Sequence, residues 1–176
     1  MEIGLVRFDE PRERLIILPS SEIEVSCSHD YAAIRALCLH PCIFPKISDD
    51  YTSDPAKWEI PQSESIIYLL ASDGDGAFGF GIFIPETHAQ YTAHFGFLPR
   101  SYGAEARKAF EKMLAWMWTN STASRIVGEI VKSNTLAIRF VRQCGFEPYG
   151  INRRSYLRGG VLQDQVCLGI SRPELT

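Results

Sequence analysis

A strand, a short loop and a long amphipathic helix lie one after another in the middle of the chain, and this segment constrains the fold most. The strand, 91–98, stops at Pro99, and the helix is predicted over 104–118. Apolar residues recur along the helix at a three-four spacing, which is typical of one buried face: Ala106, Ala109, Phe110, Met113, Leu114 and Met117. Because the loop is short, the first helical amides lack backbone acceptors and are free to bind an anion.

Further strands are predicted on both sides of this segment from short apolar or alternating runs. They cover 15–18, 22–27, 66–70, 78–84, 125–131, 152–157 and 162–170. The third and fourth form a hairpin around a glycine-rich turn, and Gly159-Gly160 turns the last pair. The segment 41–61 contains prolines at 41, 45, 55 and 61, so we expect an irregular loop with space for one helical turn.

Two further helices are predicted from their capping residues. Ser28 or Asp30 can cap a helix over 31–39, and Ser133 or Asn134 can cap a helix that Gly145 ends. We expect the second helix to bury Leu136, Ala137, Phe140, Val141 and Cys144. The order is then strand, helix, three antiparallel strands, helix, strand, helix and two strands, which predicts an α/β protein with a mixed sheet.

Length and charge narrow the class of protein further. The 176 residues suit one domain, and a formal net charge of -3 argues against a nucleic-acid partner. No apolar run is long enough to cross a bilayer, and the first residues lack the charged and apolar regions of a signal peptide. We therefore expect no membrane partner and a cytoplasmic location.

Cysteine and histidine residues cluster near the start of the chain and raise the question of a metal site. The cluster consists of Cys27, His29, Cys38, His40 and Cys42. A helix over 31–39 would scatter these thiols, whereas structural zinc needs ligand pairs presented from turns. The five cysteines also form an odd number without framework spacing. We therefore predict no metal and interpret the cysteines as reduced and mostly buried.

Three stretches of the second half resemble the Gcn5-related N-acetyltransferase (GNAT) family. The first is the strand, loop and helix around 99–106. In the second, Asn134 is followed by a small residue three positions later and by Gly145-Phe146 eleven and twelve positions later, as in the family. The third is the terminal strand pair with Gly160 and Asp164, which resembles the branch that includes ribosomal-protein acetyltransferases.

Other runs resemble GNAT-like proteins of tailed phages and prophages, and this likeness covers nearly the whole chain. They are His40-Pro41, Asp49-Asp50, the stretch from His94 to Pro99, and the tail 164–171. The resemblance implies a single GNAT (acyl-CoA N-acyltransferase) domain over 1–176, with a mixed, mostly antiparallel sheet flanked by helices. It also implies that about 1–61 forms the acceptor side and about 62–176 the core that binds coenzyme A (CoA).

The resemblance implies acetyl-CoA as the cofactor and places it against the loop before the long helix. Its pyrophosphate would lie at the helix start, and its pantetheine arm would lie between splayed strands. The expected cofactor-binding residues are Phe97, Leu98, Arg100, Ser101, Tyr102, Gly103, Ala104 and Asn134. Asn134 has a second interpretation as a helix cap.

The chain departs from the family pattern at two positions. Glu105 stands where the loop usually has a small residue; we expect its carboxylate to point to solvent and stabilise the first helical turn. Val141 stands where many members have a tyrosine that protonates the leaving thiolate, so the most recognisable catalytic group is missing.

His94 is the preferred catalytic base because an imidazole titrates near working pH. A hydrogen-bonded histidine of the sheet is the alternative interpretation. Tyr149, with Tyr156, is expected near the thiol, although aromatic residues on closing strands also serve packing. Glu129 can face the acceptor or simply lie in solvent.

Two functions remain open at this point. The first is an acetyl-CoA-dependent N-acetyltransferase that transfers acetyl directly to a primary amine of a protein N-terminus, a lysine or a small molecule. The alternative is a catalytically degenerate GNAT-fold protein that serves phage particle assembly or binds a host protein. Exposed strand edges permit a homodimer without requiring one.

Overall fold

The structure, a computed structural model, describes residues 22–174. The strand predicted at 15–18 lies outside these residues. Seven strands are present in the described part: β1 (Glu24–Cys27), β2 (Ile67–Asp73), β3 (Gly76–Pro85), β4 (Gln90–Phe97), β5 (Arg125–Val131), β6 (Glu147–Arg158) and β7 (Val161–Ser171). The helices are α1 (Tyr31–Cys38), α2 (Phe44–Ile47), α3 (Ala104–Asn120) and α4 (Thr135–Gln143), with a 3-10 turn at Pro99–Ser101.

The strands form one sheet in the order β1-β2-β3-β4-β5-β7-β6. Every neighbouring pair is antiparallel except β4 and β5, which are parallel. The predicted fold class, a mixed and mostly antiparallel sheet flanked by helices, is therefore confirmed. No helix in residues 22–174 is long and apolar enough to cross a membrane.

The parallel pair β4–β5 separates soon after it begins. Only three residue pairs join the strands, from Gln90–Arg125 to Thr92–Val127. On its other side β4 stays paired with β3, and the Leu98 amide still donates to the Phe78 carbonyl at 2.7 Å. Because backbone groups alternate along an antiparallel ladder, those of Phe95 and Phe97 point away from β3 and into the gap beside β5.

The two faces of the sheet bury separate cores. Helix α3 packs on one face with every residue that the helical pattern predicted to be buried. Phe110 of α3 lies 4.6 Å from the Phe95 ring and 5.6 Å from the Phe140 ring of α4, measured between centroids. The opposite face packs on α1 and α2 through Ile34, Ile43, Tyr68, Phe80 and Ile82. The gap between β4 and β5 is therefore walled by helices on both faces.

Two details of the closing part differ from the sequence prediction. Strand β6 begins at Glu147 rather than near 152, because an edge strand exposed on nearly all its residues shows no apolar alternation. On α4, Val141 and Cys144 are buried as predicted, but the prediction for Leu136 is wrong, since 75% of this residue is exposed. Leu136 occupies the first turn of α4, where the helix faces the gap instead of the core.

The tip of the β6–β7 hairpin is tied to the segment after α2. The Asp50 carboxylate accepts from the amides of Gly159 and Gly160, both at 2.8 Å, and the Asp50 amide donates to the Leu157 carbonyl at 3.0 Å. Arg158 also donates to the Ser48 carbonyl at 2.7 Å, as does the hydroxyl of Tyr156 at 2.5 Å. We call these contacts the hairpin clasp. Positive φ angles of 58° and 72° allow the two glycine amides to reach one carboxylate.

The five cysteines are all free thiols in the structure. Cys38, Cys144 and Cys167 are buried, as expected for structural thiols, whereas Cys27 and Cys42 are exposed. Burial raises the pKa of Cys38 to about 12 and that of Cys144 to about 11, so both remain protonated at neutral pH. The described residues contain no group of side chains arranged to hold a metal ion.

The packing predicts that Phe110 contributes much more to stability than an exposed aromatic residue. Phe110 is completely buried, so Phe110→Ala should lower the free energy of unfolding by about 3–5 kcal/mol, through lost burial and an unfilled cavity. Tyr51, 94% exposed, is the control, and Tyr51→Ala should change it by less than about 0.5 kcal/mol. Urea unfolding followed by circular dichroism measures both. Equal shifts in the two variants would contradict the described core.

Candidate active site

A cleft of about 460 Å³ occupies the gap between β4 and β5. It passes through the sheet, because residues from both faces line it. On one face the lining comes from α3 and α4, and we call this the α3–α4 side. On the other face it comes from α2, the residues just before it and the closing hairpin, and we call this the α2 side.

The alternation of side chains along β4 separates the two sides chemically. Phe95 and Phe97 point into the core under α3 and α4. His94 and Gly96 point the opposite way, towards α2; a Cβ at Gly96 would lie 3.0 Å from Ile43. One side of the cleft is therefore aromatic and apolar, and the other carries a titratable group.

Four backbone amides at the start of α3 form a surface of hydrogen-bond donors without acceptors in residues 22–174, and two of their residues, Gly103 and Ala106, line the cleft. The first helical bond runs from the Arg107 amide to the Gly103 carbonyl at 3.1 Å. The amides of Gly103, Ala104, Glu105 and Ala106 have no acceptor within residues 22–174, and no side chain caps this helix. The positive end of the helix dipole adds to their attraction for a negative group.

Gly103 keeps this surface open. Its φ of 94° lies in the left-handed region that favours glycine, and a Cβ there would meet nothing within 4 Å. Gly103 therefore adopts the left-handed conformation that the turn requires and also leaves its own amide exposed. Glu105, exposed and not among the cleft residues, leaves this space free, as expected.

The residues predicted to bind a cofactor fall into two groups. Phe97, Tyr102, Gly103 and Asn134 line the cleft. Leu98 and Ala104 adjoin it without lining it, although the Ala104 amide is one of the four free donors. The remaining two, Arg100 and Ser101, have other contacts in this structure.

Arg100 and Ser101 shape the loop instead of facing the cleft. Arg100 donates to both carboxylate oxygens of Asp73, at 2.6 and 3.0 Å, and to the Gly76 carbonyl at 3.0 Å. The hydrogen bond from Arg100 lowers the pKa of Asp73, and the same bond raises the pKa of Arg100. Ser101 is fully buried, and its hydroxyl donates to the Leu98 carbonyl at 2.9 Å.

Asn134 caps α4 and lines the cleft at the same time. Its side-chain oxygen accepts from the Ala137 amide at 3.3 Å, which is a capping bond. Its side-chain NH₂ has no acceptor within the described part of the chain, so it is free to donate to a ligand. Both interpretations from the sequence are therefore compatible with the geometry.

His94 reaches the cleft from the middle of β4 without a hydrogen-bond partner in residues 22–174. Its side chain is open to the cleft, yet enough protein surrounds the imidazole to lower its pKa by desolvation, against an opposing effect of Glu86. A lowered pKa keeps the ring neutral at pH 7, so its free nitrogen can accept a proton.

The two candidate tyrosines lie in different places. Tyr149 does not line the cleft; its ring packs 5.1 Å from the Arg125 guanidinium, and burial raises its pKa. Tyr156 lines the α2 side, and its hydroxyl accepts from Arg158 at 2.9 Å. Burial also raises the pKa of Tyr156, with Arg158 opposing the shift.

Several cleft residues had weak or no signals in the sequence. Glu129, for which the sequence left both an acceptor-facing and a solvent-exposed position open, lines the cleft. Its carboxylate oxygens accept from the Asn152 side-chain amide at 3.3 and 3.2 Å. Cys42 and Lys46 also line it, but the irregular segment that holds them has no periodicity from which a position could be inferred. Leu136 also lines the cleft, but the sequence does not show which turn of α4 faces the gap, so it could not be identified as a cleft residue.

Val141 lines the cleft. Many members of the GNAT family, which the sequence resembles, have a tyrosine at this position. Val141 is 1% exposed and packs in the same core cluster as Phe146 and Leu168. The side chain at this position is therefore no proton donor.

Solved N-acetyltransferases have the same fold. A spermidine N-acetyltransferase from Vibrio cholerae, in complex with CoA and spermine, has a TM-score of 0.68 and 16% identity over 85% of this chain and 95% of its own. A chimera of the V. cholerae enzyme and hSSAT has a TM-score of 0.71 and 16% identity, over 86% of this chain and 96% of the chimera. The ribosomal-protein-S5-alanine acetyltransferase from Vibrio fischeri has a TM-score of 0.65 and 12% identity, over 88% of this chain and 95% of its own.

No protein-family model matches the chain, and no curated protein matches it in sequence. At such low identities the structural likeness establishes the fold alone. This protein has the GNAT fold, the acyl-CoA N-acyltransferase architecture, as the sequence predicted. The likeness to phage proteins gains no support from these comparisons.

The environment of His94 makes a prediction that needs no substrate. Its imidazole should titrate below the usual 6.5 because desolvation disfavours the charged ring. Glu86→Gln should lower the midpoint further, since the carboxylate stabilises the imidazolium. A ¹H–¹³C NMR titration, with His94→Gln to assign the resonance, measures both. A midpoint at or above 6.5 in the wild type would show that the ring is not desolvated.

Proposed function

We propose that this protein is an acetyl-CoA-dependent N-acetyltransferase that acts on a primary amine. One observation carries the proposal: the gap between β4 and β5 leads directly to four free amides at the start of α3. This arrangement offers backbone partners for an amide-containing arm and an anion site for its phosphates. The fold neighbours that are N-acetyltransferases, one of them solved with CoA, support the same assignment.

The residues of the cleft fit coenzyme A by their chemistry. The amides of 103–106 would hold the pyrophosphate. The backbone groups of Phe95 and Phe97, which lack a strand partner, would pair with the amides of pantetheine. Leu136 and Phe140 supply an apolar wall on the α3–α4 side, and Asn134 supplies a free amide donor.

The chemistry requires a deprotonated amine beside a thioester. When bound, acetyl-CoA would supply the thioester carbonyl; the neutral amine would form the new C–N bond and release its second proton to solvent, while the C–S bond breaks and CoA leaves. His94 faces the α2 side as a neutral imidazole and takes the proton that the ammonium must lose. The acceptor amine therefore enters from the α2 side, opposite the coenzyme.

The absence of a proton donor at Val141 does not prevent this reaction. The thiol of cysteine has a pKa near 8.5, so an alkyl thiolate is a weak enough base to leave without a general acid and then take its proton from water. Of the two tyrosines considered, Tyr156 lies in the cleft and is the better placed to assist; Tyr149 lies outside its lining.

The acceptor compartment is built from segments that are far apart in the sequence. Ile43 and Ile47 from the α2 segment form one wall, and Tyr156 and Gln165 from the closing hairpin form another. Glu129 contributes a carboxylate that attracts a protonated amine. We propose that 1–61 serves the acceptor and 62–176 the coenzyme within one domain, with the hairpin contributing to both.

Coenzyme binding is tested by calorimetric titration of acetyl-CoA into the wild type and Gly103→Asp. The added carboxylate would occupy the anion site, so affinity should fall by more than about tenfold. Gly103→Ala is the matched control: it imposes the same strain at a φ of 94° and its Cβ also meets open space, but it adds no carboxylate. Lack of binding by folded wild type would overturn the proposal and favour a partner-binding role.

The role of His94 is tested by its removal. His94→Ala should lower kcat by about 10²- to 10⁴-fold while acetyl-CoA affinity stays within a factor of about two, because the imidazole handles the amine proton and not the coenzyme. Mass spectrometry of acetylated product should be run with spermidine, a free peptide N-terminus and a lysine peptide. If an acceptor is turned over equally by both proteins, His94 is not the base.

A further inference from the structure

The cleft contains one side chain with a permanent positive charge. Among the described residues that line it, Lys46 is the only lysine or arginine. Arg100, the basic residue of the loop before α3, is held by Asp73 and Gly76 instead. A coenzyme with several phosphate charges would therefore meet four amides and a single cationic side chain.

Lys46 lines the cleft and contacts Tyr102, the residue just before the free amides. Its ammonium is 3.3 Å from the Tyr102 hydroxyl and 5.5 Å from the centre of that ring. No carboxylate lies within 4.0 Å of it in residues 22–174, since the ion pairs there involve Lys57, Arg100 and Arg107. Lys46 therefore has no ion-pair partner in the described residues, and it lines the same cleft as Gly103.

We infer that Lys46 binds the phosphates of the coenzyme, in the place that Arg100 leaves. This inference rests on the proposed function. The flexible four-carbon stem lets the ammonium exchange the weak contact with Tyr102 for a charge-assisted bond to phosphate oxygen. The chemistry recognised is a phosphate group, and either the pyrophosphate or the 3′-phosphate of CoA provides it.

The position of Lys46 gives this contact a second effect. Lys46 lies on α2, between Ile43 and Ile47, which form a wall of the acceptor compartment. A phosphate bound to Lys46 therefore holds α2 against the coenzyme loop. The coenzyme fixes the acceptor wall before the amine arrives, and Lys46 acts as a positioning residue as well as a binding one.

The test uses CoA titration into the wild type, Lys46→Met and Lys46→Arg. Lys46→Met keeps the length of the side chain but removes the charge, so CoA affinity should fall by about 10- to 100-fold and become less sensitive to salt. Lys46→Arg should retain most of the affinity. Lys57→Met is the control, because Lys57 is a solvent-exposed residue outside the cleft that pairs with Asp54.

Titration with 3′-dephospho-CoA identifies the phosphate. A loss in Lys46→Met that persists with this ligand indicates the pyrophosphate, and a loss that disappears indicates the 3′-phosphate; either result supports the inference. If Lys46→Met has unchanged affinity and salt dependence, the inference is wrong while the proposed function stands. If the folded wild type binds no CoA, the proposed function itself fails.

Discussion

The parallel contact between β4 and β5 is the constraint on which the rest of the site depends. Strand β4 pairs with β3 along its length, and β5 pairs likewise with β7, both antiparallel. Between β4 and β5 themselves only three residue pairs form. Beyond Thr92 the separation leaves backbone groups of β4 unpaired inside the protein, which is costly unless something bonds to them. The fold therefore contains an unsatisfied edge in its centre, and a ligand rich in amides is the natural partner for it.

Local segments of the site were predictable and distant ones were not. The part of the cleft that we propose for the coenzyme comes largely from one stretch, 91–106, whose strand, turn and amphipathic helix are each encoded by neighbouring residues. Strand β5 was predicted at its observed bounds. The α2 side combines residues near 42–47 with others near 156–165, and no local pattern relates them. Arg100 shows the limit of motif reasoning, because an acid on a different hairpin, Asp73, decides its direction. Leu136 shows another, because periodicity identifies an apolar face without saying whether protein or ligand covers it.

Charged, aromatic and titratable groups lie in different parts of the cleft. The free amides of α3 and one lysine lie at the part of the cleft that we propose for phosphates, Phe95, Phe97 and Phe140 line the α3–α4 side, and His94 lies on the α2 side that we propose for the amine. The only carboxylate that lines the cleft in the described residues is Glu129, on the acceptor face. Such a division needs no acid at Val141, since the group that leaves is already a weak base. Activity would then depend on how well the amine is deprotonated more than on how the thiolate is protonated.

The hairpin clasp closes a ring around the cleft. At one end the two halves of the sheet are joined by the β4–β5 pairs; past the open end of the gap, β6–β7 returns across it to Ser48 and Asp50. The cleft is thus bordered by the strand pairs at one end and by the clasp contacts of Asp50, Tyr156 and Arg158 at the other. If the proposed function holds, the coenzyme and the acceptor would enter this opening from opposite faces of the sheet, and either could leave while the other stayed bound.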